Sequence, residues 1–336
     1  MALSPAESGK FIVKRAKHVA VCPAGIKNLK NAVIEALKDK IIDAANFSQN
    51  DYHPKSTDKW AVEWIFVLDC LNFCFWSPGK KSWKVDGRGG YFALCNAINR
   101  AMREGHEITD ANFYANITRE QLEDILRPDA GCTAVPLLEE RLSHLHQVGQ
   151  KLIKEYEGKF ENCVKKCNNS AEKLLQLVVT EFPSFKDEGE YAGQRVSFYK
   201  RAQILIGDLW ACFRGKGLGY FEDIEKITMF ADYRVPQVLV HFKALQYSPD
   251  LWKTLQNNTI MPNGDEREVE IRGASIYIVE ELKKAVRKEI ENNNLLGILP
   301  ENINSILLDH FLWDYRRRFS PKLRHIPFHR VICIYY

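Results

Sequence analysis

Long uninterrupted apolar runs are missing from this chain. The most apolar stretch, residues 64–76, has only thirteen residues and is broken by Asp69 and Asn72, whereas a helix crossing a bilayer needs about 20 apolar residues. A membrane-spanning helix is therefore not expected, and the stretch reads as core. The first residues, MALSPAESGKFIVKRAKHV, have no apolar block ahead of their lysines, so neither a secretory signal nor an anchor is visible and a cytoplasmic protein is expected. A strong charge of one sign is lacking too. The formal net charge of +4 over 336 residues argues against a surface-wide field for nucleic acid. No internal repeat or low-complexity linker is present. Nor do the cysteines form a secreted framework: nine of them, an odd number, are scattered from Cys22 to Cys333, which suits a reducing compartment. Cys70/Cys74 and Cys163/Cys167 are each spaced four apart, but no histidine near by completes a metal set. No metal is expected.

The hydrophobic share of 46% and the aromatic share of 11% are those of a packed globular protein. Helical periodicity dominates. Ala32, Ile34, Leu37, Ile41 and Ile42 mark an early helix, and Thr118 with Gln121 forms a capping box. Further helices are expected over 137–156, 171–182, 194–213, 235–245, 276–292 and 303–318. The expected fold is all-α. Residues 47–90, dense in Trp and Phe and ending in GKKSWKVDGRGG, are the one place left for a small sheet. A single domain is expected over residues 1–336, with a subdivision near residue 130 as the alternative.

The richest segment for chemistry is 208–239, which reads as helix, glycine hairpin, helix, turn, helix. Gly215, Gly217 and Gly219 suggest a dinucleotide fingerprint, but that motif needs a preceding strand and 204–213 is helical in pattern. A helix-hairpin-helix turn, whose glycines let the backbone approach a phosphate, and a plain αα turn both remain. Beyond it comes Phe230-Ala231-Asp232-Tyr233-Arg234-Val235-Pro236, with the proline suited to a first helical turn. Asp232 then stands at a helix N-terminus. Such an acid is ordinarily a cap, and capping also favours its ionised form. Beside an anomeric carbon, an ionised carboxylate stabilises an oxocarbenium-like transition state or attacks it.

A second constellation lies in 303–318, where a 3.6-residue wheel places Ile303, Leu307, His310 and Asp314 on one face, with Asp309 at its edge. A carboxylate buried there needs an ion pair, hydrogen bonds or a ligand. From residue 315 onward the chain carries Arg316, Arg317, Arg318, Lys322, Arg324 and Arg330 with no acid. That tail is either a solvated face or a phosphate or nucleic-acid contact.

Taken together, VCPAGI at Val21, AVEWIFVLDCLNFCFW at Ala61, GYFALCNAINRAM at Gly90, FADYRVPQVL at Phe230 and HRVICIYY at His329 resemble the queuosine salvage family, the queuosine 5'-phosphate N-glycosylase/hydrolases. The resemblance runs from about residue 10 to the C-terminus. It implies a helical fold akin to helix-hairpin-helix DNA glycosylases, hydrolysis of a 7-deazaguanine ribonucleotide to free queuine for tRNA, and Asp232 as the catalytic acid. It further implies base contacts from Phe230, with Ala231 beside it, and from Asp309, His310 and Asp314. Queuine has carbon where ordinary purines have N7, so protonation at that position is not available to the leaving group. Asp232 is then expected to steady positive charge on the ribose while Phe230 stacks on the base and the late acids accept its N–H donors and cationic amine. Lys200, Arg201 and Arg234 are candidates for the 5'-phosphate. Neither cofactor, metal, membrane nor lasting nucleic-acid complex is expected. The competing readings are a DNA glycosylase acting on a flipped base and a non-catalytic tRNA-binding or protein-binding module.

Overall fold

The computed structural model describes residues 2–43, 45–79, 81–293 and 297–336; Lys80, within the segment where a sheet is expected, lies outside them. The chain is mainly helical, with short two-stranded sheets, and it divides into two compact units. No described helix is long and apolar enough to cross a membrane.

The first unit comprises residues 1–43, 187–203 and 225–332. Its axis is the helix Glu266–Asn293, which begins ten residues before the expected start because Glu268, Glu270 and Arg272 are buried charges that interrupt the apolar pattern without interrupting the helix. Pro5–Val13 crosses it where two glycines face each other: a Cβ on Gly9 would lie 2.9 Å from the Gly273 carbonyl oxygen. Only bare backbones can approach so closely. Pro23–Lys38, Val235–His241 and Ser305–Arg318 also pack on the axis. Small antiparallel pairs, Val19–Val21 with Leu245–Tyr247 and Glu188–Tyr191 with Gln194–Ser197, edge the unit, and Ile260–Met261 runs parallel to Arg330–Val331.

These strands correct two expected helices. Residues 194–213 split into a strand and the helix Lys200–Cys212, separated at Tyr199 by a φ of 48°. Residues 235–245 end as a helix at His241, and Leu245 opens a strand. In both, the β pairing of a short apolar stretch overrides its helical spacing.

Gly25 is the tightest point of the unit, since a Cβ there would lie 2.1 Å from the Lys243 carbonyl carbon and oxygen. Gly25→Ala is expected to lower the unfolding free energy by about 3 kcal/mol, the upper end of ordinary overpacking costs. Urea unfolding measures it, and a loss below about 0.5 kcal/mol would contradict so close an approach.

The second unit comprises residues 44–186, 204–224 and 333–336. Its core helix, Lys59–Cys70, is buried at every position from Ala61 to Cys70, as its continuous apolar run suggests. Leu138–Glu155, Phe160–Lys166, Ala171–Glu181 and Tyr91–Arg103 complete the unit. The capping box at Thr118 and Gln121 forms as expected, and so does a small sheet within 47–90, the hairpin of Lys84–Val85 with Arg88–Gly89. The glycine hairpin differs from its expected form. After Lys200–Cys212 come only single 3-10 turns at Gly217–Gly219 and Ile224–Lys226, with no α-helix before Val235. Seven of the nine cysteines are buried and all nine are free thiols.

Candidate active site

Two segments of the first unit bring the predicted acids together. Asn304 caps the helix Ser305–Arg318 by accepting the Leu307 N–H at 3.0 Å, and this helix carries Asp309, His310 and Asp314. The other segment is the non-helical stretch entering Val235–His241. There Oδ1 of Asp232 accepts the N–H groups of Arg234 at 2.9 Å and Val235 at 2.7 Å, fixing the carboxylate at the helix start as its sequence context indicates. Asp309 joins the two, because its Oδ1 accepts the Phe230 N–H at 3.0 Å.

The second oxygen of each carboxylate is differently placed. Oδ2 of Asp232 and Oδ2 of Asp309 accept no hydrogen bond among the described residues, yet neither is sealed from solvent. Each acid is thus anchored by one oxygen, and the other is left without a hydrogen-bond donor. The two nitrogens of His310 are likewise unsealed, and its ring lies 6.2 Å from that of Phe230.

Burial raises the Asp232 pKa above the ordinary aspartate value, against the pull of Lys200 and the two capping N–H groups. The capping N–H groups favour the ionised form as expected, and desolvation is the larger influence on the shift. Asp309 is pushed much further up, first by burial and then by the Asp232 charge. Of the two acids, Asp309 is thus pushed further towards its protonated form. Burial lowers His310 to about 4, so its imidazole is neutral at physiological pH. An imidazole harder to protonate folded than unfolded contributes stability that is complete above pH 6.5 and declines as the pH falls towards 4. Relative to wild type, His310→Gln is expected to keep more of its urea midpoint between pH 6.5 and 4; parallel midpoint curves would refute it.

Asp314 does not join this cluster as a buried acid. Its side chain is 62% exposed and its carboxylate lies 3.8 Å from Arg317 on the same helix, so its place on the wheel's apolar face is corrected. The helix turns its outer end towards solvent, and burial follows the neighbours rather than the spacing. Lys200 is buried, and its charge acts on both Asp232 and Asp309. Arg201 is 1% exposed, within the core. Arg234 is half-buried with its guanidinium 3.9 Å from the Phe328 ring centroid. Ala231 is fully buried and its carbonyl accepts Nε of Arg272 at 3.0 Å.

A match to the family model described as "Queuosine salvage protein" covers residues 52–336. The chain is 43% identical over 339 residues to the queuosine 5'-phosphate N-glycosylase/hydrolase of Mus musculus, with 99% of each chain covered. It is 42% identical to the protein of that name from Bos taurus, again with 99% of each covered, and 36% identical to that of Schizosaccharomyces pombe, with 94% of this chain and 92% of the other covered. The chain belongs to the queuosine salvage protein family.

In this member of the queuosine salvage family, the support beneath the acids is what the sequence alone does not disclose. Arg272 pairs with Asp187 through two hydrogen bonds, the longer being 2.9 Å, and both side chains are nearly sealed. Asp187 also accepts the Lys200 N–H at 3.0 Å, and Glu268 stands 3.4 Å from Arg272. One ion pair therefore holds both the backbone before Asp232 and the start of the helix bearing Lys200. The available signal is the set of charges Glu268, Glu270 and Arg272 interleaved with the apolar residues Val269 and Ile271. Among the described residues, the three-ligand set for a metal is Glu104, His106 and Asp124 in the second unit, where Arg127 already pairs with Glu104 and Asp124.

Proposed function

We propose that this protein hydrolyses the N-glycosidic bond of queuosine 5'-phosphate and releases queuine, with Asp232 as the catalytic acid residue. The observation that carries the reading is the divided carboxylate: Oδ1 held by two backbone N–H groups, Oδ2 left without a hydrogen bond and not fully sealed. An oxygen so fixed is preorganised to face positive charge on a ribose ring. The C1'–N9 bond breaks with its electron pair passing to the base. Water oxygen then bonds to C1', and a proton from that water ends on the base.

Asp309, His310 and Asp314 are read as the wall that meets the base, and Phe230 with the adjoining Ala231 as its stacking floor. A neutral His310 offers both a donor and an acceptor to a heterocycle edge. Lys200 places a cation against both acids, which supports ionisation of Asp232; of the arginines expected at the phosphate, Arg201 is 1% exposed and Arg234 is read as the anion contact. Neither a metal nor an organic cofactor takes part in this reading, residues 1–336 act as one hydrolase, and the freed queuine returns to tRNA in the cytosol. The glycine turn followed by an acid at a helix start supports kinship with helix-hairpin-helix glycosylases.

Incubation with queuosine 5'-phosphate, with queuosine and with a DNA duplex, followed by chromatography of the free base, tests the reading. Queuine from the monophosphate is the expected product. Release of a base from the duplex alone would overturn it.

A further inference from the structure

Three guanidinium groups gather around Phe328 and Gln237, near Asp232, with none of them in ion-pair contact with an acid among the described residues. Arg234 and Arg330 both lie against the Phe328 ring, with their central carbons 3.9 and 4.0 Å from its centroid. Arg316 reaches the same region, since its Nε donates to Oε1 of Gln237 at 2.9 Å and Arg234 donates to the same oxygen at 3.4 Å. All three are half-buried. Among the described residues, no carboxylate oxygen lies within 4.0 Å of any of them, whereas Arg272 and Arg287 each have such a partner.

Most of their N–H groups are also uncommitted. Arg330 uses one, towards the Phe328 carbonyl at 3.5 Å; Arg316 uses Nε and Nη1, the latter towards the Ser320 hydroxyl at 3.0 Å. Their mutual repulsion is visible in their acidity. Burial, and then the neighbouring Arg234 charge, lower Arg316 to about 10 and lower Arg330 as well, while the nearby Asp232 charge acts in the opposite sense on Arg316. Like charges held together at half burial are stable when a dianion shares the space, and planar guanidinium forks match phosphate oxygens in pairs.

We infer that Arg234, Arg316 and Arg330 form the subsite that receives the 5'-phosphate of the substrate. This rests on the hydrolase reading above and names the groups that select a nucleotide over its nucleoside. Arg234 follows Asp232 by two residues, so a phosphate held there places the attached ribose next to the catalytic oxygen. Lys200 and Arg201 take no part: the first answers the two acids and the second belongs to the core.

Arg330 carries the cleanest test, because its one hydrogen bond is to its own neighbourhood. In Arg330→Gln the ratio of kcat/KM for queuosine 5'-phosphate to that for queuosine is expected to fall about 10- to 100-fold, the weight of one charge-assisted contact. The fall appears mainly in KM. Ribose 5-phosphate is expected to inhibit the wild type competitively and to lose potency in parallel in Arg330→Gln, and Arg330→Lys is expected to recover part of both. Arg316→Lys, which keeps the charge and gives up the fork, is expected to lie between the two. An unchanged ratio and unchanged inhibition in Arg330→Gln would overturn the subsite. Should the wild type release no base from either substrate, the hydrolase reading fails, and ribose 5-phosphate binding followed by calorimetry still decides the anion site: binding lost in Arg330→Gln supports it, and binding retained overturns it.

Discussion

Asp232→Asn should lower kcat for queuosine 5'-phosphate by about 10³-fold, the upper range for loss of one preorganised charge-stabilising group, while the protein unfolds at or above the wild-type midpoint. The asparagine side-chain oxygen can still accept the Arg234 and Val235 N–H groups, so the helix start is kept. What disappears is the charge. Because burial opposes ionisation of Asp232, replacing it with a neutral amide removes a desolvation cost. Activity and stability are thus expected to move apart, which a merely structural cap would not do: loss of a cap lowers stability by about 1 kcal/mol. A variant with wild-type kcat would end the catalytic assignment. The wild-type rate should also fall as the pH drops, with the acid limb displaced above the ordinary aspartate range, since the raised pKa of Asp232 means that its ionised form is lost early on acidification.

Arg272→Leu is expected to cost about 3–5 kcal/mol of unfolding free energy, the usual effect of stripping one partner from a buried ion pair. Asp187, 2% exposed, would be left with its carboxylate uncompensated, and the Ala231 carbonyl would lose its donor. Both consequences fall on the backbone beside Asp232 and Lys200, so kcat is expected to drop in the folded fraction too. The double variant Arg272→Leu/Asp187→Leu should regain part of the stability, since only Glu268 of the two acids beside Arg272 then keeps its charge. Urea unfolding of both variants measures this. A single variant losing less than about 1 kcal/mol would show that the pair does not hold the segment.

The sequence discloses the site more readily than its foundations. Asp232 is legible because an acid followed by Tyr-Arg-Val-Pro predicts a helix start, and the structure places its carboxylate on the N–H groups of that turn. Asp309 and His310 are legible as polar interruptions of an apolar helix face. Asp314 has the same spacing and misleads, because a wheel records angle around the axis and not how far the packing extends along it. Arg272 and Asp187 are far apart in the chain and meet only after folding, so no periodicity reports them. The same holds for Arg316 and Arg330: in sequence they belong to a basic tail, and only folding sets them beside Arg234. Two helices were expected across residues that pair as short strands, where local spacing yields to a partner distant in sequence.

The bond from Asp309 to the Phe230 amide has an implication for altering substrate preference. One side chain fastens the wall proposed to meet the base to the strip of backbone leading into Asp232. Redesign of that wall for a different heterocycle cannot then proceed independently of turnover: any replacement at position 309 that moves the wall also releases the strip, and selectivity and speed will have to be re-optimised as a pair.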